Sequence, residues 1–181
     1  MARANHHATY PARFQLIAAM NPCRCGYLGT SDRECTKAPR CGLDYQSKLS
    51  GPLLDRIDIH VDVMPVMVSD LTKPLAEPSE KVASRVARAR QIQAQRFQEI
   101  LGDSAPISVN AYADGDVLEK AFILTPSAQS LLNKAAEHMK FSARSYYRLI
   151  RVARTIADLS GDLGDISDRY IAEALSYRRT I

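Results

Sequence analysis

The sequence predicts two structural classes in one chain, an α/β part (residues 1–63) followed by an all-α part (79–181). Two stretches in the first part have the pattern of strands: a nearly continuous apolar run over 14–20 and an alternation of apolar and polar residues over 57–63. From residue 79 onward the apolar residues recur at helical spacing, and no strand is needed to explain them. The segment 64–78, which holds three prolines and no periodicity, is predicted to be the linker.

Composition narrows the class of protein. A chain of 181 residues with a hydrophobic fraction of 46% can bury the core of one ordinary domain or two small ones. No apolar run approaches the ~18 residues that a membrane span needs, and no secretory signal is recognisable. We therefore expect a cytoplasmic protein without a membrane partner. The net charge of +4 is compatible with nucleic-acid binding but does not by itself select it.

The first predicted strand ends at a polar residue, Asn21, directly before Pro22. In an open α/β sheet, a polar side chain just beyond the carboxyl end of a buried strand faces the ligand crevice. Asn21 is thus predicted to hydrogen-bond a ligand or a water molecule. An Asx-type turn before Pro22 explains the same residues equally well.

The four cysteines of the chain all lie on one glycine-rich stretch: Cys23, Cys25, Cys35 and Cys41. Four thiolates can close a tetrahedral zinc site, and the metal would supply the order that so polar a loop lacks. The spacing does not form the usual pair of C-x-x-C knuckles, so four reduced thiols are the alternative interpretation. The prediction is a structural zinc ion.

A short helix is predicted just before the second strand, because Ser50 can cap it and Pro52 suits its first turn. Arg56 then stands at the corner between this helix and the strand over 57–63. A guanidinium held there near a surface can reach a partner's phosphate. From these residues alone, a surface arginine at an ordinary α/β corner is the simpler interpretation.

The first helix of the all-α part is predicted over 79–101, with Ser79 as cap and Gly102 after its end. It is rich in basic residues and has only two acidic ones, Glu80 and Glu99. The simpler interpretation is that these basic residues form a solvated face of the helix. The more specific interpretation is that they contact the phosphate backbone of a nucleic acid. The basic residues are Lys81, Arg85, Arg88, Arg90 and Arg96.

Three further helices are predicted after a loop and one short helix over 103–124. Thr125 and Pro126 begin a helix that runs to about 138 or 139, Ser142 caps the helix 143–159, and Ser167 caps the helix 168–179.

Arginine side chains form a narrow stripe on the helix 143–159, at Arg144, Arg148 and Arg151. Arg144 lies in the first turn, where its positive charge opposes the helix dipole. This local misfit indicates a role toward an anion, and an ordinary solvated face is the alternative.

Several of these segments resemble, in the same order, the magnesium-chelatase-like AAA+ ATPases of the ComM/YifB type. Residues 14–23 resemble the sensor-1 strand, and Leu-Leu-Asp-Arg-Ile-Asp at 53–58 the arginine-finger segment. The run from Asn21 to Tyr27 resembles the Cys-rich insert, 142–159 the sensor-2 helix, and 171–178 the closing helix. The resemblance implies the C-terminal strands of a P-loop core with a Cys-rich insert, followed by a helical-bundle lid.

The resemblance also implies roles for matched residues. Asn21 would lie near the γ-phosphate and the attacking water, Arg56 would act on the neighbouring subunit's ATP, and Arg144 would contact nucleotide phosphates from the lid. The implied cofactors are ATP and Mg²⁺, and the implied assembly is a homo-oligomeric ring, expected to be a hexamer. A hairpin before the sensor-1 strand can touch nucleic acid in this branch, so Arg3, His6 and His7 are candidates together with Arg85 and Arg88.

The resemblance implies action on DNA, as a helicase or branch-migration motor in natural transformation. A non-enzymatic, zinc-stabilised nucleic-acid-binding module and a magnesium chelatase subunit are the alternatives. The sequence contains neither the G-x-x-x-x-G-K-[ST] phosphate-binding loop nor an apolar run ending in Asp-Glu. We therefore expect that this chain alone neither binds ATP tightly nor hydrolyses it.

Overall fold

A computed structural model divides the chain into two compact units, residues 1–49 and 50–181. It describes the backbone alone at residues 2–3 and 6–7. The residues described in full are 8–10, 14–29, 35–64, 66, 77–103 and 105–178. Most of the predicted linker, 64–78, lies outside the described residues.

The first unit contains a small hairpin and one short helix. Strand β1 (Ala2–Arg3) pairs antiparallel with β2 (His6–His7). Helix α1 (Arg40–Gln46) was not predicted from the sequence. It packs on the Cys-rich loop so closely that a Cβ at Gly42 would lie 2.5 Å from Cδ2 of Leu28.

The two predicted strands of a P-loop core are not found, and this part of the predicted fold class is not supported. Residues 14–20 and 57–63 form no strand, and Ile17 and Val63 are 86% and 88% exposed. A strand requires a neighbour to accept and donate its backbone hydrogen bonds. Within the described residues neither segment has a neighbouring strand, so the apolar pattern alone does not produce a sheet.

The second unit is helical, as was predicted for its part from residue 79 onward. Its helices are α2 (Gly51–Leu54), α3 (Ser79–Leu101), α4 (Gly115–Ala121), α5 (Pro126–His138), α6 (Ala143–Leu159) and α7 (Asp168–Ser176), with a 3₁₀ turn at Asn110–Tyr112. Helix α7 ends earlier than the predicted residue 179, which lies outside the described residues.

Local capping explains where α5 and α6 begin and where α3 ends. The Thr125 hydroxyl accepts a hydrogen bond from the Ala128 amide at 3.2 Å and so caps α5. The Ser142 hydroxyl does the same for the Ser145 amide at 3.2 Å and caps α6. Gly102, with a φ of 82°, ends α3 in a conformation that favours glycine.

The core of this unit joins the C-terminal part of α3 to α5, α6 and α7. Its largest fully buried apolar side chains are Phe97, Leu132, Leu149, Ile166 and Ile171. Helix α3 is buried only from Ala89 onward, since all residues from 79 to 88 are exposed. The beginning of α3 thus presents its basic side chains to solvent.

None of the described helices is both long enough and apolar enough to cross a bilayer.

Candidate functional site

The four cysteines come together in the first unit, as predicted from their grouping on one stretch of the chain. The Sγ atoms of Cys23, Cys25, Cys35 and Cys41 all lie within 4.8 Å of one another, and those of Cys23 and Cys25 are 3.2 Å apart. A zinc ion with four Zn–S bonds of about 2.3 Å needs sulfurs about 3.8 Å apart. The sulfurs are therefore placed for a Cys₄ site, and α1 contributes the last of them because it begins at Arg40.

The pKa values of two of these thiols shift in opposite directions. Burial opposes ionisation of Cys23, but hydrogen bonds from the Cys25 side chain and neighbouring backbone amides outweigh it and lower the pKa to about 6. The hydrogen bond with the Cys25 side chain is the main cause that raises the pKa of Cys35 to about 12. One thiol of the cluster thus loses its proton easily, whereas a neighbouring thiol keeps its proton. A bound divalent cation would stabilise the thiolates together.

Asn21 is exposed in the first unit and directly precedes Pro22. The backbone oxygen of Pro22 accepts a hydrogen bond from Nε2 of Gln46 at 3.1 Å, which ties this end of the apolar run to α1. The predicted role of Asn21 toward a nucleotide stays a prediction.

Arg56 belongs to the second unit and lies in the turn that follows α2. Its Nη1 donates to the backbone oxygen of Pro52 at 2.6 Å, and the residue is otherwise exposed. Within the described part of the chain it forms no ion pair with a carboxylate. Its guanidinium therefore has donors left for an anion.

Asp55, next to Arg56, is bound by several donors from the end of the bundle. A hydrogen bond from the Ser145 hydroxyl is the largest cause that lowers the pKa of this carboxyl group, and burial partly opposes it. The charges of Arg178 and Arg144 and a hydrogen bond from Ser142 lower the pKa further. The carboxylate is thus stabilised in its charged form.

We expect Asp55→Asn to reduce the free energy of unfolding at pH 7 by about 1 kcal/mol, allowing for solvent screening of a partly exposed carboxylate. Because folding lowers its pKa, Asp55 adds stability above the unfolded pKa of about 3.9, and this is lost as the pH falls through the folded pKa. The difference between wild type and variant should therefore shrink below about pH 4. Urea unfolding followed by circular dichroism at pH 7 and pH 3 measures it. An equal difference at both pH values would contradict the assignment.

The three arginines of the stripe on α6 differ in whether their side chains have partners. Arg148 binds Asp58 with its Nη2 at 2.8 Å from Oδ2, and Arg151 donates from Nε to the Ala113 backbone oxygen at 2.9 Å. The Arg144 side chain is exposed and, among the described residues, makes neither a hydrogen bond nor an ion pair, although its charge lowers the pKa of Asp55. Only Arg144 of the three therefore remains available for an external anion.

A buried polar network between α3 and α6 was not predicted. Asp158, whose side chain is fully buried, accepts hydrogen bonds from Nη1 of Arg96 at 3.1 Å, Nε of Arg154 at 3.0 Å and Nδ2 of Asn110 at 2.8 Å. Burial lowers the pKa of Arg154, while Asp158 opposes this effect. Arg96 thus does not belong to the solvated face predicted for α3. The spacing of four residues between Arg154 and Asp158 is the one sequence signal that could have revealed part of this network.

The nucleic-acid candidates lie in both units. Arg85 and Arg88 are exposed near the beginning of α3, and Arg85 binds Glu77 at 2.8 Å. In the other unit, the backbone of Arg3 pairs with that of His6 in the small hairpin, next to His7. The side chains of these three hairpin residues lie outside the described part.

Comparison with known proteins gave matches along almost the whole chain. The family model described as magnesium chelatase, subunit ChlI matches residues 1–71, and the one described as magnesium chelatase, subunit ChlI C-terminal matches residues 76–178. Competence protein ComM of Haemophilus influenzae is 37% identical over 100% of this chain and 34% of its own length. YifB of Escherichia coli is 36% identical over 98% of this chain and 33% of its own length.

YifB of Salmonella typhimurium has the same identity of 36%, over 98% of this chain and 33% of its own length. The chain therefore spans about a third of the length of the curated relatives it matches. The two family models and these relatives show that the chain belongs to the magnesium-chelatase-like family that includes ComM and YifB.

Proposed function

We propose that this chain supplies phosphate-sensing arginines and the helical lid of an ATP-driven AAA+ ring motor. The observation that carries the proposal is the availability of two arginines in the second unit. Arg56 and Arg144 are exposed and have no carboxylate partner among the described residues, whereas Arg148, Arg154 and Arg178 form ion pairs. Exposed guanidiniums without a carboxylate partner are suited to stabilise charge on a transferring phosphoryl group.

Each candidate residue has a separate role in this proposal. Arg56 reaches the ATP of the neighbouring subunit and stabilises the transition state, as an arginine finger does. Arg144 contacts nucleotide phosphates from the lid, and Asn21 orients the attacking water. Mg²⁺ would offset part of the negative charge of the ATP phosphates, which the phosphate-binding loop of the N-terminal part of a family ATPase would hold.

An arginine that acts on a neighbour requires an assembly of subunits. We therefore infer a homo-oligomeric ring, expected to be a hexamer, in which each interface joins one subunit's nucleotide to the next subunit's Arg56. Sedimentation of the assembled protein with and without an ATP analogue tests this part of the proposal.

The proposed substrate is DNA, with branch migration or unwinding during natural transformation as the activity. The relative in Haemophilus influenzae is named a competence protein, and Arg85 and Arg88 give the exposed start of α3 a positive charge. DNA binding through such phosphate contacts should weaken steeply with salt. Stimulation of ATP hydrolysis by DNA supports this substrate. Stimulation by a porphyrin and Mg²⁺ instead would support the alternative of a chelatase subunit.

A nucleotide-binding assay tests whether this chain binds the nucleotide alone or only together with the N-terminal part of an ATPase. We expect that residues 1–181 alone do not bind a fluorescent ATP analogue tightly, because the sequence lacks the phosphate-binding loop. Binding should appear in a reconstituted ATPase, defined as this chain joined to the N-terminal nucleotide-binding part of a family member. Tight binding by the chain alone would place the phosphate site elsewhere.

A second proposed function is structural zinc binding by the four cysteines. The convergence of four Sγ atoms within 4.8 Å of one another supports it. Four thiolates are soft ligands that select zinc over magnesium, so this metal is distinct from the Mg²⁺ of the nucleotide. If the chain were a zinc-stabilised nucleic-acid-binding module without ATP hydrolysis, its affinity for DNA would not change when nucleotide is added.

We expect Cys41→Ser to reduce the zinc content of the purified chain from one ion per chain to a small fraction of that value, because a hydroxyl replaces one of four thiolates. Elemental analysis of protein purified without chelator measures the metal. Ser47→Ala, in the same unit and exposed, is the control and should retain zinc. Absence of zinc from the wild-type protein would contradict the Cys₄ assignment.

A further inference from the structure

The turn that carries Arg56 is fastened to the helical bundle on both sides of that residue. On one side, the Asp55 carboxylate accepts hydrogen bonds from the hydroxyls of Ser142, at 3.3 Å, and Ser145. It also accepts one from Nη2 of Arg178 at 3.3 Å. Ser142 caps α6 and Ser145 lies in its first turn, so Asp55 fixes the Arg56 turn to the N-terminus of that helix.

On the other side, Arg148 of α6 holds Asp58. Its Nε and Nη2 donate to the two oxygens of the Asp58 carboxylate, with Nη2 2.8 Å from Oδ2. Its Nη1 also lies 3.4 Å from the backbone oxygen of Asp55. Such a bidentate contact fixes the orientation of the Asp58 carboxylate as well as its distance from Arg148, because the guanidinium is planar and rigid.

The chain segment after α7 adds backbone contacts to the same turn. Arg178 donates from Nη1 to the backbone oxygen of Ile57 at 3.1 Å, and the His60 amide donates to the Tyr177 backbone oxygen at 2.9 Å. The side chain of Arg178 is only 8% exposed. Both neighbours of Arg56 in the sequence are thus held by these contacts, while the Arg56 guanidinium, among the described residues, donates only to the Pro52 backbone oxygen.

We propose that Arg148 and Arg178 are positioning residues that hold the Arg56 turn on α6, so that the arginine finger and the lid move as one element. This inference rests on the role of Arg56 in the proposed function. Displacement of a catalytic group by about 1 Å can cost about 100-fold in rate. A turn released from α6 would therefore bring Arg56 to the phosphate less often and in the wrong direction.

Arg148→Ala in the reconstituted ATPase tests the inference. We expect the kcat for ATP hydrolysis to fall about 10- to 100-fold, with the dissociation constant for the ATP analogue unchanged. Arg151→Ala is the matched control, since Arg151 lies on the same helix but contacts Ala113 and Asp114. It should change kcat by less than about twofold, as loss of an exposed ion pair costs little.

A double variant separates positioning from a general structural effect. If Arg148 acts through Arg56, adding Arg148→Ala to Arg56→Ala should not lower the residual kcat further. A further drop of similar size would overturn the inference, and so would an Arg148→Ala kcat equal to that of Arg151→Ala. Asp58→Asn removes the same contact from the exposed partner and should reproduce the effect if Arg148→Ala fails to fold.

The same experiment distinguishes failure of this inference from failure of the proposed function. If Arg56→Ala leaves kcat unchanged, the arginine-finger role is wrong and the positioning role falls with it. If Arg56→Ala abolishes turnover while Arg148→Ala and Asp58→Asn do not reduce it, the finger role stands and the positioning role is overturned. Hydrogen exchange at residues 55–60, faster in Arg148→Ala than in Arg151→Ala, is the accompanying structural readout.

Discussion

Arg56→Ala should lower the kcat for ATP hydrolysis by the reconstituted ATPase by about 10³-fold or more, the usual contribution of an arginine finger. Arg56 is exposed, and within the described residues the one hydrogen bond of its side chain is to the Pro52 backbone oxygen. Its removal therefore breaks no ion pair that stabilises the fold. We expect the affinity for a fluorescent ATP analogue and the thermal unfolding temperature to stay close to those of the wild type.

Arg169→Ala is the matched control for this prediction. Arg169 is another exposed arginine of the second unit, and its ion pair with Asp162 lies at the surface. It should leave kcat and nucleotide affinity unchanged. Normal ATP hydrolysis by Arg56→Ala would refute the finger role, whatever the control shows.

Asp158→Ala should destabilise the helical unit by about 3 to 5 kcal/mol, because it leaves buried cations without their carboxylate. The side chain of Asp158 is fully buried, and those of its partners Arg96 and Arg154 are 14% and 3% exposed. A loss of this size is a large fraction of the stability of an ordinary domain. Urea unfolding of residues 1–181 at pH 7, followed by circular dichroism, measures it.

Two further variants make this prediction specific. Asp165→Ala replaces an exposed aspartate of the same unit and should change the free energy of unfolding by less than about 0.5 kcal/mol. Asp158→Asn keeps an acceptor for hydrogen bonds and should lie between wild type and Asp158→Ala, which keeps the test readable if the alanine variant does not fold. A loss below about 1 kcal/mol in Asp158→Ala would show that the network does not hold α3 to α6.

The helices could be predicted from the sequence because their signals are local. Thr125 followed by Pro126, and Ser142 before an amphipathic pattern, are read within one turn of chain, and both helices begin where these residues place them. The strands could not be predicted in this way. The alternation over 57–63 shows which residues can occupy a strand but not whether a neighbouring strand is present to pair with them.

The candidate sites show the same difference between local and long-range signals. The four cysteines lie close together in the sequence, and the prediction that they form one cluster is confirmed. The contacts of Asp58 with Arg148 and of Arg96 with Asp158 join residues 90 and 62 positions apart. No local pattern reveals such partners, so an arginine on a polar stripe and an arginine in an ion pair look alike in the sequence.

The most direct test of the central claim is a mixing experiment between two inactive variants of the reconstituted ATPase. One carries Arg56→Ala, and the other carries a disabled phosphate-binding loop but keeps Arg56. If Arg56 acts on the neighbouring subunit, mixed rings contain interfaces with an intact loop from one subunit and an intact finger from the next. ATP hydrolysis should then rise well above that of either variant alone. No recovery in rings shown to contain both variants would contradict action across the interface.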